Sequence, residues 1–347
     1  MTNADISTRR MLQVIDSARE LFQLDLSGFN VLTEAASGAF VVTPLITALS
    51  GAKVHVFAQD SVYGSKREVL DNLERHAKEF GVSKAIEVIE RTDSDKIKNC
   101  DLITNLGFVR PIDSSLTSLL KANSVIAAMC EAWEVRDEDI DISACRVKEI
   151  PVVAVNEESK YKNIFNYVGY LTLKLLFEAG LDIYSDKFLI IGSDKFSHKI
   201  VEILNKLNVQ SILLPLNEIH NYSPTNNNID GIIVADYTSF EMIIDQSATL
   251  NEQWLKKNTP FAKIIHIAGG VNHEYLKSIG FDCYPFYSGL PRRMSKTLAH
   301  LGVRPVVELH TSGLKAAEIV LRELRSGASI VEVKDKYKNH HLIQLMD

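Results

Sequence analysis

The chain lacks most features that assign a function quickly. Its four cysteines, Cys100, Cys130, Cys145 and Cys283, show no CxxC or finger spacing, which argues against a disulfide scaffold or zinc module and predicts reduced thiols. Positive charge is not in excess: 38 Lys+Arg stand against 44 Asp+Glu, for a net charge of −6. Nucleic acid is therefore not an expected partner. No run approaches the roughly 18 apolar residues of a membrane span; the greasiest stretch, Val168–Leu181, is broken by Lys174 and Glu178. The polar opening Met1–Arg10 offers no apolar signal core, so a cytoplasmic protein is expected. HExxH, Walker and GxSxG motifs and Cys/His clusters do not occur, and no metal is expected. What remains is ordinary globular composition, 46% hydrophobic and 24% charged over 347 residues, enough for two domains at about 150 residues each.

Met11, Ile15, Ala18 and Phe22 recur at helical spacing, predicting an amphipathic first helix that packs on its own domain or on a second copy. From residue 29 short apolar runs alternate with helical segments, and Gly51 and Gly81 stand where helix ends are expected. The pattern pauses at a long helical stretch, Tyr161–Ala179, and restarts at Lys187–Ile191. This predicts an α/β protein of two doubly wound, Rossmann-like parallel-sheet domains joined by a long helix. The boundaries expected are 1–160, completed by about 305–347, and 161–304. Polar Asn217–Asn228 is expected as a loop, and helices are expected at Arg292–Leu301 and Ser312–Arg325.

Ligands of such sheets sit at the carboxyl ends of the strands, so the residues delivered there are the candidates. The first strand runs into Glu34, Ser37 and Gly38, an anion-holding turn or simply a capped one. Asp60 comes after the second strand, as a ribose acceptor or as the start of a capped loop. Asn105, Gly107 and Arg110 come after the fourth; the planar guanidinium of Arg110 suits a carboxylate or phosphate. Glu131 and Trp133 come after the fifth and are candidates for lining a cleft, while the acids from Asp137 to Asp141 read as a solvated face. In the second domain the turn Gly192-Ser193-Asp194 carries one of the three fingerprint glycines, with Asp194 and Ser197 in the other places. Asp194 would set a negative charge beside a pyrophosphate. His310, between an apolar run and a helix, is read as an exposed acid/base imidazole or a loop residue bonded to backbone. Arg292 and Arg293 are anion ligands or surface charge.

The stretch Asp139–Asn156, the helix Tyr161–Ala179, the βα unit Lys187–Leu207, the segment Ile264–Leu276 and the loop His310-Thr311-Ser312-Gly313 together resemble the D-isomer-specific 2-hydroxyacid dehydrogenase superfamily. S-adenosylhomocysteine hydrolase is distantly similar in fold. The resemblance implies a divergent NAD(P)-dependent oxidoreductase acting on a small hydroxy or keto acid in an interdomain cleft. His310, Arg110 and Glu131 would then be catalytic. Gly192, Ser193 and Asn272 would bind NAD or NADP, and Ser37, Gly38, Asn105, Gly107, Arg110 and Trp133 the substrate. Gly269 stands where that family has its arginine. The alternatives are a non-redox enzyme, a binding protein for a nucleotide or other anionic metabolite, or a silent scaffold protein. A small anionic metabolite and a homodimer partner are expected.

Overall fold

The computed structural model describes residues 3–222, 229–287 and 289–346. In chain order its strands are β1 Asn30–Glu34, β2 Lys53–Phe57, β3 Ile86–Val88, β4 Leu102–Thr104, β5 Val125–Ala127, β6 Val152–Val155, β7 Phe188–Ile191, β8 Ser211–Leu214, β9 Gly231–Ala235, β10 Met242–Ile244, β11 Lys263–Ala268, β12 Gly270–Val271, β13 Cys283–Tyr284 and β14 Ile343–Met346. The helices are α1 Asn3–Phe22, α2 Val42–Leu49, α3 Lys66–Glu79, α4 Ser94–Lys98, α5 Ser114–Leu119, α6 Ile142–Val147, α7 Asn166–Glu178, α8 Lys195–Lys206, α9 Glu252–Asn258, α10 His273–Ser278, α11 Val303–Arg325 and α12 Ile330–Tyr337. The chain divides into two compact units, residues 1–164 with 302–347, and residues 165–301.

The first unit carries a seven-stranded sheet in the order β14-β6-β5-β4-β1-β2-β3. Neighbours are parallel, except that β14 runs antiparallel to β6. Its inner strands β1, β4, β5 and β6 are short, mostly apolar runs buried on both faces, as a helix-covered parallel sheet requires, while the edge strands β3 and β14 are partly exposed. On one face Leu32, Ile103 and Ile126 pack with Ile97, Leu116 and Cys145. On the other lies α11, whose Gly313 passes so close to β5 that a Cβ there would meet the Met129 sulfur at 2.5 Å. The buried face of α1, with Ile15 and Phe22 fully enclosed, packs against α11 in the same unit. The direction of strand addition reverses between β1 and β4, and doubly wound sheets bind ligands at that switch point.

The second unit holds a parallel sheet in the order β13-β11-β9-β7-β8, beside the small β10-β12 pair. Its switch point lies between β7 and β9. Leu189, Ile232 and Ile264 meet Leu255 of α9 and Leu276 of α10 on one face. Elsewhere in the unit Gly169 of α7 lets Ile203 of α8 approach to where a Cβ would stand 2.4 Å away.

Several expected elements are corrected. The connecting helix begins at Asn166, because the Glu158–Asn163 bridge and the Ile164 N–H bond to the Glu157 carbonyl hold the preceding residues in a loop. The stretch from Arg292 is not an α-helix. Gly269 N–H bonds to the Arg293 carbonyl and Ser295 N–H to the Ile267 carbonyl, which draws it along the end of β11; only Leu298–Leu301 coils, as a 3-10 turn. The helix expected from Ser312 starts at Val303. Within the expected polar loop, Leu216–Asn221 is a 3-10 helix, and residues 223–228 lie outside the described residues.

Candidate functional site

At the switch point of the second unit the chain fills its own anion site. After β7, Gly192 passes close under β9: a Cβ there would stand 2.1 Å from the Ala235 carbonyl oxygen. Asp194 comes next as the cap of α8, and its Oδ1 accepts from the N–H groups of Phe196 and Ser197 at 2.9 and 3.4 Å. Its Oδ2 accepts from Tyr237 and Thr238 after β9. From the other side Asp236 accepts from the Ser193 N–H at 2.8 Å and from Ser239 N–H and the Thr238 hydroxyl. Burial, and then the charge of Asp236, raise the Asp194 carboxyl to about 6.

These residues do not fit a dinucleotide. A pyrophosphate needs the free N–H groups at the helix start, and those of Phe196 and Ser197 already hold a carboxylate. The Ser197 side chain occupies the helix–strand contact, bonding back to the Asp194 carbonyl. Pro215, Leu216 and Asn217 come after β8, with no acid for a ribose. Asn272, expected at the cofactor, is spent on structure: its oxygen caps α10 through Tyr275 N–H and its amide donates to Asp245. Gly269 could not carry the family's arginine. It sits at φ +105° with the Asp236 carbonyl oxygen 2.7 Å from a would-be Cβ.

The switch point of the first unit is left open. The Thr104 hydroxyl donates to that of Thr33 at 2.9 Å, locking β4 to β1 just below it. Glu34 then turns sideways and accepts from Phe108 N–H at 2.8 Å and from Gly107 N–H. Gly107 makes room for this contact, since a Cβ would meet the carboxylate at 2.8 Å. Burial raises the Glu34 carboxyl, against the lowering effects of those N–H groups and Arg110. The chain continues through Ala36, Ser37, Gly38 and Ala39, whose backbone N–H groups have no acceptor among the described residues. Ser37 begins the 3-10 turn that leads into α2, and its side chain makes no cap bond. Gly38, at φ +59°, has open space where a Cβ would stand.

Asn105 follows β4, the strand that pairs with β1. It is buried, being 6% exposed. Its Oδ1 accepts from Met129 N–H at 2.8 Å, which fixes the amide's orientation. The Nδ2 group has no hydrogen-bond partner among the described residues and keeps some contact with solvent. A donor left open in this way is available to solvent or to a ligand.

The remaining candidates are already engaged within the protein. Arg110 is one-third exposed and its Nη1 bonds Asp139 at 2.9 Å. Arg136 grips the same carboxylate at 2.9 and 3.0 Å. Asp139 is thus a buried clamp between two guanidiniums, correcting its reading as part of a solvated face. Arg91 donates to the carbonyls of Phe108, Val109 and Arg110 and holds their loop. Glu131, 1% exposed, accepts from the Trp133 indole and from Glu157 N–H. It and Trp133 therefore serve each other. Asp60 accepts from Lys66 N–H, and Ser65 caps α3 through a box with Glu68.

His310 is corrected most. It lies in the interior of α11, not on a loop, and is 3% exposed. Its Nδ1 meets the Thr43 hydroxyl at 2.6 Å, and burial pushes the imidazole down to about 4. Fully enclosed and neutral, it is a core histidine. The helix-breaking signal that would have shown this is Gly302, at φ +111°, immediately before α11.

No protein-family model matches the sequence, and neither does any curated protein. Solved structures do match in shape. A dipicolinate synthase chain from Bacillus halodurans superposes at a TM-score of 0.51 with 10% identity, over 86% of this chain and 99% of that one. Its counterpart, the dipicolinate synthase chain from Bacillus subtilis, gives 0.50 with 12% identity, over 88% and 98%. These two matches show a shared α/β fold of Rossmann type. D-mandelate dehydrogenase from Rhodotorula graminis is matched at 0.43 with 13% identity, over 78% and 93%. At such identities the likeness is one of fold, and function has to be argued from the residues.

Proposed function

We propose that the protein binds a small anionic metabolite, a carboxylate or a phosphate, at the switch point of the first unit, on a dehydrogenase-like fold that does not use a nicotinamide dinucleotide in the second. One observation carries this reading: the N–H groups that would hold an anion are filled by Asp194 in the second unit and are open at residues 36–39 in the first. The Asn105 amide, at the end of the neighbouring strand, adds a donor whose orientation the Met129 N–H fixes. Glu34 does not repel a ligand as a free carboxylate would, because its charge is spread over the Gly107 and Phe108 N–H groups.

Nothing in this reading needs a general acid or base. Hydride transfer to a keto acid needs a carboxylate-holding arginine beside a protonated imidazole; Gly269 and the enclosed His310 supply neither. The oxidoreductase reading, with NAD or NADP and a small hydroxy or keto acid, draws its support from the fold.

A thermal-shift titration separates the two. Phosphomonoesters, di- and tricarboxylates, NAD and NADP are each added to the wild type and to Asn105→Asp, which keeps the bond to Met129 but replaces the open donor with a negative charge. An anion at about 100 times its Kd stabilises by about 2.7 kcal/mol. The expected result is a shift with one class of small anion that Asn105→Asp loses by roughly ten-fold or more in affinity. Micromolar binding of NAD or NADP, unaffected by Asn105→Asp, would overturn the proposal in favour of the oxidoreductase.

A further inference from the structure

The second unit holds a cavity of about 620 Å³ that is separate from its filled switch point. That volume is in the range of small-ligand pockets. It runs along the edge strand β13, between the start of β11, α10 and the end of α7. Lys263 and Lys277 line it from different elements, and neither makes an ion pair among the described residues. Lys263 gives one N–H to the Ala179 carbonyl at 2.7 Å, leaving the rest of its ammonium uncommitted. Lys277 sits 5.9 Å from the centre of the Phe286 ring. Two acids share the wall. Glu178 is already engaged by the Tyr284 hydroxyl, His300 and Lys174. With the Glu178 charge met by Lys174, the two lysines face Asp282 as the one remaining carboxylate of the lining.

The back of the cavity is polar but uncharged, and its hydrogen bonds fix which atoms carry protons. Tyr287 N–H donates to Nδ1 of His273, so the proton of that ring is on Nε2. The Gly269 carbonyl accepts from Nε2 of His266 at 3.0 Å, so Nδ1 of His266 is the acceptor facing His273 at 3.2 Å. The Cys283 sulfur lies 3.2 Å from the same Nε2 of His273. Because that nitrogen already bears a proton, it cannot act as base for the thiol. Burial drives both imidazoles down to about 4 and the thiol up. The cysteine–histidine pair is therefore a neutral wall and not a nucleophile. Phe286, 64% exposed, with Tyr284 beside it, supplies the aromatic side.

We propose that this cavity binds a small aromatic carboxylate, its ring against Phe286 and Tyr284 and its charge between Lys263 and Lys277. The ligand class is set by two cations without carboxylate partners beside aromatic faces over a neutral floor. The proposal is independent of the first unit's crevice.

Fluorine NMR with 4-fluorobenzoate tests it, with 4-fluorobenzyl alcohol as the uncharged analogue and ¹⁵N-histidine spectra reporting on His273. Saturable binding of the benzoate is expected, stronger than that of the alcohol, with movement of the His273 nitrogen signals. Lys277→Met, at an exposed position, should keep the melting temperature and weaken binding roughly five-fold or more; the double variant with Lys263→Met should weaken it further. Asn105→Asp should leave it unchanged, which separates failure here from failure of the first site. Absence of saturation, equal binding of the alcohol, full binding by the double variant, or benzoate binding lost in Asn105→Asp would each overturn the proposal.

Discussion

In the second unit the acid after the first strand, Asp194, turns back on its own helix and takes its first N–H groups. In the first unit the acid at the end of the first strand, Glu34, reaches sideways to Gly107 and Phe108 and leaves the helix start alone. Both acids tie their strand to the loop after the neighbouring strand, so both stiffen a switch point. Only Asp194 also neutralises the partial positive charge of a helix N-terminus. Where the acid sits decides whether a switch point is a strut or a site: a residue inside the turn can fold onto the helix, whereas one on the strand cannot.

The difference is most severely tested at Gly192. Gly192→Val places side-chain atoms into the Ala235 carbonyl, and a loss of about 4 kcal/mol or more is expected in the second unit. Denaturant melts should show the second unit unfolding first; an unchanged melt would mean that the turn is not packed as described. Asp194→Ala removes the acceptor for four backbone N–H groups and should cost about 3 kcal/mol. A near-neutral Asp194→Ala would make the contrast with Glu34 one of geometry without energetic content.

Acid titration sharpens the contrast through sign. His310 in the first unit is held at about 4, below the ordinary 6.5, so the unfolded chain takes the proton first. Its contribution of up to about 3 kcal/mol is present above pH 6.5 and lost as pH falls towards 4. Asp194 in the second unit is raised to about 6, so the native state binds its proton more tightly. Its contribution favours folding increasingly as pH falls from 6 to 4. Urea melts from pH 7 to 4 should therefore show a steeper acid loss in Asp194→Ala than in the wild type, and a shallower one in His310→Leu with Thr43→Val. The same slope in all three would refute both assignments.

Smaller effects are expected at the open switch point. Arg110→Lys loses the single Nη1 bond to Asp139, but Arg136 still holds that carboxylate through two bonds, so about 1 kcal/mol or less is expected in a thermal melt. Ser37→Ala should cost no more than about 0.5 kcal/mol, since the hydroxyl caps nothing. A loss of 1 kcal/mol or more there would show that the turn is already satisfied, as it is in the second unit.

The alternation of apolar runs and helical segments was enough to read two parallel α/β units, because strands buried on both faces must be short and continuously apolar. The erosion of the dinucleotide turn was equally legible, since Asp194 and Ser197 stand in sequence where glycines are needed. Asp236 could have been found by looking at the residue just past the strand from Gly231. Tertiary structure decided the rest. His310 looks like a loop imidazole until α11 is seen to begin at Val303 and carry it under Thr43. Arg110 and Asp139 are 29 residues apart, and no local spacing announces their pairing. The antiparallel edge strand β14 arises from a charged tail whose ladder partner, β6, lies nearly two hundred residues earlier. Local chemistry, a missing glycine or a periodic apolar face, acts through neighbours along the chain and is written there. Burial, ion pairing and the freedom of a backbone N–H depend on neighbours in space, which only the packed fold supplies.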